Sequence, residues 1–218
     1  MVLAALPRRD GDARARLEAV GRQAAPVTLA RERSIPVPGA LGALLPGAGI
    51  GRGATVVVAG SVGGGATSLA LELAAAATAT GEWAAAVDPH GTLGAAAAAA
   101  AGVALDRFAV IRSCPVERWS TVVAALLEGV SLVIAEVPRR VAAGDARRLV
   151  ARARERPSVL VALETGARWP ADAALRLHAV GGVWCGLASG AGLLTCRERS
   201  LRVEGQGAAV RARLARVV

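Results

Sequence analysis

Val56-Val-Val-Ala-Gly60-Ser-Val-Gly-Gly-Gly65-Ala66-Thr67-Ser68 is the stretch on which the fold turns. The β-branched run opening at Ala54 predicts a short buried strand. A helical pattern follows from about Thr67 to Ala79 and stops at Gly81. Between them lies the frame G-x-x-x-x-G-x-[ST], a phosphate-binding loop in its strand–loop–helix setting. In a working loop, backbone N–H groups and the helix N-terminus cradle phosphates, a lysine neutralises the outer oxygens, and a hydroxyl holds magnesium. Here Gly60, Gly63, Gly64 and Gly65 keep the glycine nest, and Thr67 and Ser68 keep the hydroxyls, but Ala66 stands at the lysine position. A charge-assisted hydrogen bond is worth about 1.5–3 kcal/mol. Its loss predicts triphosphate binding weakened by about 10- to 100-fold, and hydrolysis weakened further, because the charge acts on the transition state.

The rest of the chain bears on the same question. Among 218 residues all 26 basic side chains are arginine, so any mechanism that requires a lysine is excluded. The length suits one domain with a sizeable core. An apolar share of 54% against 20% charged excludes a disordered chain, and 2% aromatics predict a core of Ala, Val and Leu. A net charge of +9 favours acidic partners. Cys114, Cys185 and Cys196 are odd in number and form no CxxC, which predicts free buried thiols in a reducing, cytoplasmic setting rather than a disulfide or zinc framework. The uncharged stretches 53–71 and 177–196 read as strand–turn units and not as membrane spans. His90 and His178 have no second ligand at metal spacing, so no metal site is expected.

Beyond the loop, strands are expected at Trp83–Asp88, Phe108–Ile111, Val130–Glu136 and Val159–Leu163, and helices at Leu93–Ala101, Trp119–Glu128, Ala143–Glu155 and Ala171–Leu177. This alternation, with strands apolar on both faces, predicts an α/β fold: a mainly parallel sheet flanked by helices. Short strands near 182–187, 193–197 and 201–204 predict an antiparallel C-terminal extension. Residues 1–37 read as a helical arm and linker, with Leu17 and Val20 on its apolar stripe; 38–204 as the core; 205–218 as a basic tail. In that tail Val210, Leu214 and Val217 suggest an amphipathic helix flanked by Arg211, Arg213 and Arg216. Arg147, Arg148, Arg152 and Arg154 on the fourth main helix are candidates for a DNA or partner patch. No aromatic is interleaved, so any DNA contact is expected to be backbone-type and salt-sensitive.

Several segments in order resemble one family. Leu45-Pro-Gly-Ala-Gly-Ile-Gly-Arg-Gly followed by the strand and loop is similar to the start of the ATPase core of RecA-type recombinases. Ala86-Val-Asp88-Pro-His90 stands where that family has Asp-Ala-Glu-His, and Gly102-Val-Ala-Leu-Asp-Arg-Phe resembles its Gly-Val-Asp-x-x-x-Leu. Val130 to Glu136 resembles the Walker B strand, with Glu136 at the acidic position; Asp88 can face it from the end of an adjacent strand, and the pair reads as vestigial. The departures are Ala66 for the phosphate lysine, His90 for the water-activating glutamate, and a short stretch after Leu163 where recombinases carry a long DNA loop. A RecA-like P-loop core so reduced resembles the ImuA/SulA-type branch. That resemblance implies a non-catalytic accessory protein of a damage-induced (SOS) translesion mutagenesis complex, nucleoid-associated on damage. Its implied partners are an ImuB-like Y-family polymerase homologue and an error-prone replicative-type polymerase. No catalytic residue and no cofactor is implied. Weak ATP–Mg binding, self-association through the arm, sequence-neutral DNA binding and a SulA-like division inhibitor stand as alternatives.

Overall fold

In the computed structural model, which describes residues 33–61, 63–188, 191–205 and 208–217 (backbone alone at 187, 188, 194 and 208–217), strand and helix alternate through most of the chain. The elements are β1 (Ser34–Pro36), α1 (Gly39–Gly42), β2 (Gly49–Gly51), β3 (Thr55–Gly60), α2 (Ala66–Ala79), β4 (Ala84–Asp88), α3 (Ala95–Ala100), β5 (Phe108–Arg112), α4 (Val116–Gly129), β6 (Leu132–Glu136), α5 (Ala143–Glu155), β7 (Val159–Glu164), β8 (Leu175–Ala188), β9 (Ala191–Gly205) and β10 (Ala208–Val217). Strands β1 and β2 pair antiparallel on their own. The other eight form one sheet in the order β10-β9-β8-β3-β7-β6-β4-β5. From β8 to β5 every pairing is parallel, and β9 runs antiparallel to both its neighbours. The expected α/β class is therefore observed. The arm residues Leu17 and Val20 lie outside the described residues.

The path of the chain explains which face each helix covers. From β3 it moves outward through α2 to β4 and through α3 to β5. It then returns through α4 to β6 and α5 to β7, and finally crosses to β8. Right-handed crossovers put outward and returning connections on opposite faces. Accordingly α2 packs on Val56, Val58, Ile134 and Val161, while α4 and α5 pack on Val57, Val133 and Leu160. The period-two alternation of these strands supplies both cores.

Helix α2 lies over the middle of the sheet and is buried almost all round, as its Ala- and Leu-rich sequence allows. Helix α5 buries Ala146, Leu149, Val150 and Ala153 and exposes its arginines. Arg52, after β2, forms a two-point ion pair with Glu82, after α2. Burial alone would raise the Glu82 carboxyl, but hydrogen bonds from Arg52 and then Ser131, together with the Arg52 charge, outweigh it and hold the group below the ordinary 4.5. Arg52→Ala is expected to cost about 1–2 kcal/mol at neutral pH by urea unfolding. A depressed carboxyl gives stability above its unfolded value and loses it as pH falls through the folded value. The gap between variant and native protein should therefore close below pH 4.5. A gap constant down to strong acid contradicts the assignment.

Four expectations are corrected. Residues 171–174 are irregular and Leu175 already begins β8, so the short helix at Ala171–Leu177 is absent. The three short C-terminal strands are two long ones, β8 and β9, interrupted by register shifts at Ala179/Gly182 and Cys185/Leu187. These bulges absorb the glycines that read as strand ends. The tail is a strand, β10, paired with β9 from Ala208↔Gly205 to Val217↔Cys196, not a helix. Arg211 and Arg213 sit at alternate positions beside Val210, Ala212 and Leu214, a pattern that also has period two. Finally, Cys185 and Cys196 oppose each other on β8 and β9, with Cα atoms 5.1 Å apart, and form a disulfide. Cross-strand register, which cysteine spacing does not reveal, brings them together. Cys114 is free and buried, and burial pushes its thiol up.

Candidate functional site

Strand β3 delivers the loop at its carboxyl end. The connection after β3 covers one face of the sheet and the connection after its neighbour β7 covers the other. Such a switch point opens a crevice beyond the strand ends, where ligands bind in open α/β sheets. A cavity of about 350 Å³ lies there, lined by Gly60, Ser61, Thr67 and Ser68 on one side and Glu164 and Thr165 on the other. Gly65 precedes α2 with φ +95°, a left-handed conformation that side chains rarely adopt. A Cβ at Gly64 would come within 2.8 Å of the Ser61 carbonyl oxygen, so this glycine is sterically required. Helix α2 has no side-chain cap and no acidic residue in its first turn, so its positive end faces the crevice uncompensated.

Ala66 opens that helix and is buried, at 7% exposure. The position thus brings no charge to the loop. A cation does arrive from elsewhere. Arg197 on β9 lines the same cavity and donates through Nη2 to the Gly63 carbonyl, 134 positions away in sequence. Its guanidinium lies 5.0 Å from the centre of the Trp184 ring. Its buried Nε has no hydrogen-bond partner. Sequence reasoning missed Arg197, and no local motif marks it; only the strand order carries it to the loop.

The acidic residues are placed less favourably for chemistry. Glu136 ends β6, and β7 separates that strand from β3. Its Oε1 accepts a hydrogen bond from Thr165 Oγ1 at 2.5 Å and lies 3.3 Å from His90 Nδ1. Asp88 does sit on the adjacent β4, but its carboxylate turns into its own loop. It accepts the Thr92 N–H at 3.1 Å and the Leu93 N–H at 2.8 Å. The expected facing pair of Asp88 and Glu136 is therefore not formed as a site: one carboxylate organises a loop. Among the described residues no cluster of three or more His, Cys, Asp or Glu could hold a metal ion.

The arginine patch on α5 is partly neutralised. Arg148 pairs with Asp145 and Arg152 with Glu128, whereas Arg147 and Arg154 are exposed. Arg211, Arg213 and Arg216 fall on β10, opposite Arg202, Ser200 and Arg197 of β9.

A family profile described as the MT3502 N-terminal domain matches residues 43–171. The chain belongs to that family. The MT3502 N-terminal domain match spans β2 to β7 and so takes in the loop, Ala66, Asp88, Glu136 and the α5 arginines. It ends before β8, so Arg197 and strands β8 to β10 lie beyond it. The match names a family and not an activity. No curated protein matches the chain. Among the described residues no helix is long and apolar enough to cross a membrane.

Proposed function

We propose that the chain is a RecA-like accessory protein without catalytic activity, which works by protein–protein contact in a damage-induced translesion synthesis complex. Its partners in this reading are an ImuB-like Y-family polymerase homologue and, with it, an error-prone replicative-type polymerase. The observation that carries the reading is the buried Ala66 in an otherwise preserved glycine cradle. The loop keeps its structural residues and lacks its charge. Two further observations support it. Glu136 is hydrogen-bonded to Thr165 and lies beside His90, and Asp88 is engaged by backbone donors. Both oxygens of Asp88 and one of Glu136 are thus already engaged within the protein and not presented to magnesium or water in the manner of phosphoryl transfer.

Mixing the purified chain with a purified ImuB-like homologue tests this. Co-elution on size exclusion without nucleotide, unchanged by Mg-ATP, is the expected result. Separate elution, or a complex formed only with Mg-ATP, contradicts it. A second reading, a weak anion- or ATP-binding switch, is favoured by one observation: Arg197 places a guanidinium at the cavity that Ala66 leaves uncharged.

A further inference from the structure

Strand β3 pairs with β8 only as far as Ala179, and β10 pairs with β9 only from Cys196 onward. Beyond these limits Cys185–Ala188 and Ala191–Cys196 form a two-stranded ribbon, and at its base Gly182–Trp184, which no longer pair with β3, run beside Arg197–Arg199, whose other neighbour is β10. This ribbon is conspicuously apolar. Leu193 is 78% exposed, Val183 67% and Trp184 46%, and no Asp, Glu, Lys or Arg occurs between His178 and Arg197. Exposed apolar side chains gathered on one element mark an interaction surface. An isolated two-stranded ribbon is marginally stable in water, and the Cys185–Cys196 bond staples this one near its root. A pre-ordered ribbon loses less conformational freedom on binding.

We infer that the ribbon is the docking surface for the protein partner, and that the segment it takes is aliphatic with a carboxylate placed to meet Arg197. The inference rests on the reading of the chain as a component of a complex and adds where the partner sits. Charge complementarity identifies the occupant. Arg176, Arg199 and Arg202 on the same two strands pair with Glu164, Glu72 and Glu204. Arg197 has no carboxylate among the described residues, yet it is held over Trp184 at the ribbon's base. Trp and Arg are the side chains on which interfaces most often depend. A second copy fits poorly: each chain carries +9, and a two-fold contact presents another Arg197 in place of an acid. An anionic lipid surface also fits poorly. Neighbouring residues of a strand point to opposite faces, so Val183 and Trp184 lie on different sides, and the Val183 position is paired across the ribbon with Glu198.

Interferometry against the purified ImuB-like homologue tests the assignment. Trp184→Ala and Leu193→Asp are each expected to weaken binding by at least about tenfold. Arg197→Gln is expected to reduce the salt dependence of association. Val116→Ser, which alters an apolar residue of α4 that is 47% exposed, should bind as the native chain does. If the native chain shows no binding, the accessory reading itself fails and the docking assignment with it. If the native chain binds and the ribbon variants bind equally well, only the docking assignment is overturned. It is also overturned if those variants keep partner binding but lose flotation with phosphatidylglycerol–phosphatidylcholine vesicles, or convert a dimer to a monomer.

Discussion

Trp119→Ala is expected to destabilise the protein by about 3–5 kcal/mol, the largest effect of any single truncation considered. Trp119 projects from α4 and is 1% exposed. Its ring meets Trp169, from the crossover between β7 and β8, edge-on with centroids 6.5 Å apart. The pair therefore joins a returning helix to the segment that takes the chain over β3 to β8. Removing one ring leaves a cavity in a core otherwise built from Ala, Val and Leu, which are too small to fill it. The indole Nε1 atoms of both residues have no hydrogen-bond partner, so Trp119→Phe forfeits contact area alone and should cost markedly less. Urea unfolding of both variants reads the difference. A loss under about 1 kcal/mol for the alanine variant would contradict the packing described.

Asp88→Ala is expected to cost about 2–3 kcal/mol, because two N–H donors lose a charged acceptor in a buried place. Asp88 is 3% exposed and holds Thr92 and Leu93 in the turn that leads from β4 to α3. Asp88→Asn should fall between the two, since an amide oxygen can satisfy only one side of that turn. Thermal unfolding separates a structural role from a vestigial catalytic one. An alanine variant as stable as the native protein would return Asp88 to the list of potential metal or water ligands.

The sheet and its loop were legible because their signals are local. Val56–Val58 and the glycines that follow define strand, turn and helix within a dozen residues. The alternation of Ala146, Leu149, Val150 and Ala153 with arginines delimits α5 for the same reason. The antiparallel end was not legible. Gly181, Gly182 and Gly186 punctuate β8 without ending it, because bulges accommodate them. Arg-Ala-Arg-Leu-Ala-Arg in β10 satisfies both helical and strand periodicity, and pairing with β9 decides between them. Arg197 at the loop and Cys185 opposite Cys196 both depend on register between distant or facing strands. At Ala66 the residue type by itself excludes a charge, so the sequence is enough. At Asp88 side-chain direction decides the partners, and the sequence does not show that direction.

With Ala66 supplying no charge and Arg197 bonded to the loop, the proposed accessory role expects the glycine cradle not to bind nucleotide usefully. Calorimetric titration of Mg-ATP into the purified chain, beside an Ala66→Lys variant, tests it most directly. No saturable heat is expected for the native chain up to about millimolar ATP. Saturable binding by the native chain at about micromolar ATP would contradict it and would make the protein a nucleotide switch, with Arg197 in the role the lysine would have had.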